Sequence, residues 1–131
     1  MQNLFIGKGN LAKSPTLEHK TARDGKDFVV ANMRVMFARY GRSEDGEMTQ
    51  VDGFWRTVEI YGPKAEACAK LLRKGARVLV VGEERSFQAK DENGQEVQVI
   101  KIVAEDVALQ LTRVESITFA AKPKEEAEAE E

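Results

Sequence analysis

Four side chains at alternate positions, Trp55, Thr57, Glu59 and Tyr61, could do the most distinctive chemistry in this chain. With the two-residue period of a β-strand, Val58 and Ile60 point one way and these four point the other. The second face then interleaves two large aromatics with a hydroxyl and a carboxylate. A face turned into a core rarely tolerates Glu59, and a face turned wholly to water has little use for Trp55. A half-solvated strip of this kind can stack on unpaired nucleobases, whose π-faces need no sequence-specific partner. It suits a protein interface or a cross-strand aromatic pair equally well, since both also place Trp and Tyr on an outer sheet face. The strip alone leaves the two readings open.

Other chemistries find less support. His19 is the single histidine and Cys68 the single cysteine, so the chain lacks the makings of a His/Cys metal cluster, an internal disulfide framework or a Ser/His/Asp set that His19 could serve beside its turn. Gly7-Lys8-Gly9 lacks the third glycine and the following helix of a dinucleotide or phosphate loop. Asp52 and Glu59 suit strand-face and turn positions better than a nuclease metal site. Neither an enzyme nor a bound metal or cofactor is expected.

With 131 residues, 42% hydrophobic and 32% charged, the chain has the size and composition of one soluble domain with one core. No apolar run approaches the ~20 residues of a membrane span. The N-terminal residues lack a secretory pattern, so the mature chain is expected to begin at Met1, and a lone cysteine fits a reducing cytoplasm. The net charge of −2 divides unevenly. Residues 1–121 hold 18 Lys/Arg and 17 Asp/Glu, whereas residues 122–131 hold two Lys and five Glu. Phosphate binding by so neutral a body would depend on local clustering. The last ten residues have no aromatic and no branched aliphatic, which predicts disorder. The expected division is a folded domain over 1–113 and an acidic, disordered tail over 114–131.

Five strands and one helix can position the strip. Met1–Leu11 reads as a strand softened by Gly7 and Gly9, with Thr16–Lys20 as a short continuation beyond Ser14-Pro15. After the Arg23–Lys26 turn, Phe28–Phe37 puts Val29, Ala31, Met33, Val35 and Phe37 on one apolar face. A polar hairpin, Gly41–Met48, leads into the strand that carries the strip. Pro63 opens a helix over Pro63–Lys74, Ala65, Cys68, Ala69 and Leu72 form its apolar stripe, and Gly75 stops it. That stripe makes Cys68 a small core residue. Val78–Val81 is a buried strand, Asn93-Gly94 a hairpin signal, and Val97–Val103 a fifth strand, while Glu105–Arg113 fits a last strand or a helical turn. Five strands with a helix between the third and fourth describe an all-β OB-fold, a partly open Greek-key barrel. A ferredoxin-like fold would need a second helix.

Several fragments then form a series: Gly9-Asn10-Leu11 followed by Pro15, Val30-Ala31-Asn32, Gly46-Glu47-Met48, Phe54-Trp55-Arg56 running to Tyr61-Gly62, Ala65-Glu66, Leu72-Arg73-Lys74-Gly75, Val78-Leu79-Val80-Val81-Gly82, and Asn93-Gly94-Gln95-Glu96. In this order, over residues 3–110, they resemble the bacterial single-stranded DNA-binding proteins. The resemblance implies an OB-fold subunit of a homo-oligomer, a tetramer favoured over a dimer. Such a protein binds and protects single-stranded DNA without sequence preference during replication, recombination or repair, in the bacterial cytoplasm with the nucleoid. Replication or recombination proteins would be further partners, and no membrane is involved. The same resemblance implies base stacking on Trp55, Tyr61 and Tyr40. Phe87 would stand in for a family tryptophan that aligns with Ala89. Arg73, Lys74 and Arg85 match basic family positions, and Arg34 and Arg56 join them as cations for phosphate.

The chain also departs from the family. Glu83-Glu84 adds negative charge near the expected groove, and the chain ends Glu130-Glu131 without the apolar tip through which the family docks partner enzymes. These departures predict a divergent member. They keep open an alternative, a primosomal-type OB adaptor whose Trp55/Tyr61 face docks another protein.

Overall fold

Alternating apolar residues curl one long sheet until its first strand meets its third. The computed structural model describes residues 3–42 and 44–122, without the side chains of residues 39–41, 50 and 51. In chain order the elements are β1 (Leu4–Leu11), β2 (Thr16–Thr21), β3 (Asp27–Arg42), β4 (Met48–Tyr61), α1 (Pro63–Leu71), β5 (Arg77–Lys90) and β6 (Glu96–Leu109). The sheet runs β1-β5-β6-β4-β3-β2, and a further β1–β3 pairing closes the barrel. β4 and β6 pair in parallel around Val58 and Ile102, whereas the other ladders are antiparallel. This is the OB-fold topology. β1 ends at Leu11 and the chain resumes as β2 beyond Ser14-Pro15, the break the sequence marks, because Pro15 has no N–H to offer a ladder.

Every second residue of the central strands is sealed inside: Ala31, Met33, Val35 and Phe37 of β3, Val58 and Ile60 of β4, Val78 and Val80 of β5, Ile102 and Ala104 of β6. α1 packs Ala65 and Cys68 against the same core, and Leu72 follows them in. Closure depends on Gly9, where a Cβ would stand 2.5 Å from the Met36 carbonyl oxygen. At Gly82, where β5 shifts register against β6, a Cβ would run into the Val103 carbonyl oxygen.

Three expectations change. The helix ends at Leu71 rather than Lys74, because Leu72 turns extended (φ −88°, ψ 148°) to bury its side chain. Its N–H still donates to Cys68 O, and Arg73 Nη1 donates to the freed Leu72 carbonyl. Gly75, at φ +87°, turns the chain into β5 only after that. Second, the segment that fitted strand or helix continues β6 to Leu109; Gln110 N–H then donates to Arg77 O, and a turn closes from Val114 N–H to Leu111 O. Third, β3 and β5 run well past their apolar stretches, to Arg42 and Lys90. Residues 115–122 form neither helix nor strand, and residues 123–131, the second half of the acidic tail, lie outside the described residues.

Candidate nucleic-acid interface

The alternation read from β4 holds in three dimensions. Val58 and Ile60 are buried, while Trp55 and Tyr61 are 43% and 44% exposed on the outer face, with Thr57 and Glu59 between them. Residues directly opposite one another in a ladder share a face. The registers Met36↔Trp55, Arg34↔Thr57, Asn32↔Glu59 and Val30↔Tyr61 therefore bring Arg34 and Asn32 of β3 beside the strip. Across the parallel contact, Thr57↔Lys101 and then Lys101↔Arg85 and Val99↔Phe87 add β6 and β5. Trp55, Tyr61, Phe87, Arg34 and Arg85 consequently lie on one continuous outer surface.

Contacts fix several of these groups. The Arg34 guanidinium sits 5.8 Å from the Trp55 ring centre and donates to Thr57 Oγ1 at 3.3 Å, a cation–π arrangement that holds the indole's orientation. Glu59 Oε1 receives the Tyr61 hydroxyl at 3.2 Å and pairs with Lys101 Nζ at 3.0 Å. Lys101 also lies 5.4 Å from the centre of the Phe87 ring, which is itself half-exposed. Tyr61 stands 6.0 Å from Phe28. Partial burial, then the charge of Glu59 and the hydrogen bond to it, push the Tyr61 phenol above its ordinary value, against the opposing pull of Arg85. The ring stays neutral at physiological pH and keeps its stacking character.

This aromatic face is electrostatically self-neutralised. Lys101 meets Glu59, Arg85 Nε meets Glu83 at 3.4 Å, and Lys20 meets Glu18 at 3.3 Å. Arg34 is held differently, by a hydroxyl and an aromatic ring. A different balance holds at the far end of the sheet. A groove of about 1080 Å³ there is lined by Lys8, Lys74, Arg77 and Arg113, with apolar walls from Leu109 and Val114, and no carboxylate among the described residues lines it.

The remaining candidates fall elsewhere. Arg56 shares the parity of Val58, so it projects from the opposite side of β4. There its guanidinium carbon lies 4.6 Å from the centre of the Phe54 ring, its Nη1 donates to Trp55 O, and its Nε is buried without a hydrogen-bond partner. Phe54 in turn meets Phe5 and Phe37 at the end of the barrel. Arg73 caps the Leu72 carbonyl, and Lys74 lines the cationic groove. Tyr40 has its backbone in β3 opposite Gln50, beside the bulge at Arg39/Tyr40, while its side chain lies outside the described residues. Reading the sequence overlooked Lys8, Arg77, Lys101 and Arg113. The outward parity of Arg77 with Arg85 along one strand was a usable signal for the second of these; the Lys101–Glu59 pair depends on a non-local parallel register that no local pattern reveals.

Among the described residues no group of His, Cys, Asp or Glu could hold a metal ion, and no helix is long and apolar enough to cross a membrane. The Single-strand binding protein family model matches residues 1–110. A single-stranded DNA-binding protein of Xylella fastidiosa is 27% identical over 107 residues, covering 82% of this chain and 62% of the relative, so the chain spans less than two thirds of that protein's length. Among solved structures, a small single-stranded DNA-binding protein from Streptomyces coelicolor shares the fold with a TM-score of 0.70 at 20% identity, over 86% of this chain and 99% of that one. The Plasmodium falciparum SSB in complex with ssDNA gives a TM-score of 0.61 at 22% identity, over 84% and 96%. With an OB barrel, an uncovered aromatic face and a family match across most of its length, the chain belongs to the single-strand binding protein family.

Proposed function

We propose that this protein binds single-stranded DNA without sequence preference, as a non-catalytic binding protein serving replication, recombination or repair. One observation carries the reading: Trp55 and Tyr61, with Phe87 beyond Lys101, stand uncovered on one outer sheet face. Duplex DNA hides its base faces, so selectivity for single strands follows from stacking alone. Base stacking contributes about 1–3 kcal/mol per base, so two rings supply roughly 2–6 kcal/mol, no tighter than tens of micromolar. Tight binding therefore needs several subunits on one strand. That favours a homo-oligomer, a tetramer before a dimer, and the exposed Leu4 and Ile6 on the outer face of β1 offer an apolar surface for a second copy.

Arg34 and Arg85 supply phosphate contacts on the face, Lys74 supplies one at the groove, and Tyr40 is a further stacking ring beside the bulge. The binding domain spans residues 1–113 and the acidic tail residues 114–131, in a cytoplasmic, nucleoid-associated protein. The test uses the lone tryptophan. Oligo-dT at low salt should quench its fluorescence saturably; no quenching at low salt rejects the reading. A protein-docking adaptor is the second reading, and the ion pairs that neutralise the face are what favour it. An adaptor would show no salt-dependent response to oligonucleotides.

A further inference from the structure

Resting on that single-strand reading, we propose that the bound strand continues past Trp55, crosses the β1–β3 seam, and lays its phosphates in the groove of Lys8, Lys74, Arg77 and Arg113. The registers draw the path. Trp55 lies opposite Met36, Met36 opposite Asn10, and Asn10 opposite Arg77, so the four residues form one outward row across β4, β3, β1 and β5. Three strand spacings, about 14 Å, separate its ends. The floor of the row suits a nucleic-acid chain. Met36 gives a half-buried, polarizable surface next to the indole. Asn10 is held rigid, its Nδ2 donating to Gly75 O at 3.2 Å and its Oδ1 accepting from Arg77 Nη1 at 2.7 Å.

That bond orients the Arg77 guanidinium while leaving most of its five donors for an anion. Lys8 shares the outer face of β1, two residues from Asn10. Lys74 comes from the turn after α1, just before Arg77, and Arg113 from the segment beyond β6, so three separate stretches of chain deliver four cations to one trough that no carboxylate among the described residues lines. On the aromatic face, by contrast, cations spend much of their charge on Glu18, Glu59 and Glu83. The two halves supply complementary terms, bases stacking at one end and phosphates neutralised at the other. Counterion release should then come mainly from the groove.

The test compares the full-length protein with the Lys8→Gln/Arg113→Gln double variant on oligo-dT of ~4 and ~16 nucleotides, the range of site sizes for one OB-fold. On the long oligomer the variant should lose affinity, and its log–log salt slope should be shallower by about 1.4, two contacts at about 0.7 each. On the short one, tryptophan quenching at saturation should match the parent. An unchanged slope on the long oligomer overturns the proposal. So does a changed solution mass of the variant, which would assign the groove to a subunit contact. Deleting residues 115–131 gives a third arm. If deletion raises the affinity of the parent but not of the double variant, tail and strand compete for the groove and the proposal stands; an equal rise in both places the competition elsewhere and counts against it. Absence of quenching in the parent on both oligomers instead refutes the single-strand reading beneath it.

Discussion

The aromatic face and the cationic groove sit at the two ends of one row of residues and are built on opposite plans. At Trp55 the sheet exposes rings and balances its charges locally; at Arg77 it exposes charges, and no ring among the described residues lines the groove. The formal charge of the body is close to zero, yet that neutrality is an average over a compensated region and an uncompensated one. Net charge is thus a poor guide to where an anion would bind, and the distribution of carboxylates is the better one.

Since the row from Trp55 to Arg77 crosses the β1–β3 seam, breaking the seam should have the largest effect. Gly9→Val would force a side chain against the Met36 carbonyl and the Val35 side chain. Overpacking of this kind costs about 1–3 kcal/mol or more, and backbone, unlike a flexible side chain, cannot step aside. An unfolding free energy lowered by that amount, with affinity for long oligo-dT lost along with it, is the expected result. Wild-type stability in the variant would show that the barrel closes without this approach.

Trp55→Ala separates the two ends of the row more cleanly. Truncating an exposed ring should leave stability within about 0.5 kcal/mol. Affinity for oligo-dT should fall by about 1–3 kcal/mol, roughly 5- to 150-fold, with the salt slope unchanged, because no cation has been removed. Since the lone indole goes with the mutation, calorimetry provides the readout. A slope that changes with affinity would mean that the indole and the charges act as one unit.

The aromatic face was legible because a two-residue period needs nothing beyond the chain itself: Trp55, Tyr61 and the buried Val58 and Ile60 all follow from it. The same rule, applied strictly, would have put Arg56 on the other face, where the structure has it; adjacency to Trp55 suggested a shared site that strand geometry does not allow. The OB topology was legible from the order of strands and turns. The early end of α1 and the reach of β6 were less so, since each is decided by a tertiary demand: the burial of Leu72 and the pairing with β5. The groove was the least legible part. Its four cations come from positions 8, 74, 77 and 113, and only the closed barrel brings them together.

Removing a compensating charge should make the aromatic face behave more like the groove. Glu59→Gln frees Lys101, so the salt slope on oligo-dT should steepen by about 0.7 and affinity at low salt should rise a few-fold. The Glu59 and Lys101 side chains are 17% and 29% exposed, which places the stability cost between that of surface and buried pairs, at about 1–2 kcal/mol. An affinity that falls would show that Glu59 organises the face for binding and does more than neutralise it.

The smallest effect concerns protons. Tyr61 titrates above an ordinary phenol, first because of partial burial and then because Glu59 repels the phenolate and accepts the hydroxyl. Burial alone raises the Cys68 thiol. Both groups have raised folded-state values, so their neutral forms stabilise the fold fully below the unfolded values, and that contribution is lost as pH rises through the raised ones. Stability and binding should therefore stay level between about pH 6 and 8 and decline only in alkali. In a Tyr40→Phe background, which leaves Tyr61 as the single tyrosine, Glu59→Gln removes the charge contribution and weakens the hydrogen-bond contribution while leaving burial in place. The tyrosinate absorbance midpoint should then move down toward the ordinary phenol value without reaching it. If the midpoint stays where it was, the Tyr61–Glu59 contact has no electrostatic weight, and the compensation ascribed to this face rests on Lys101 and Arg85 alone.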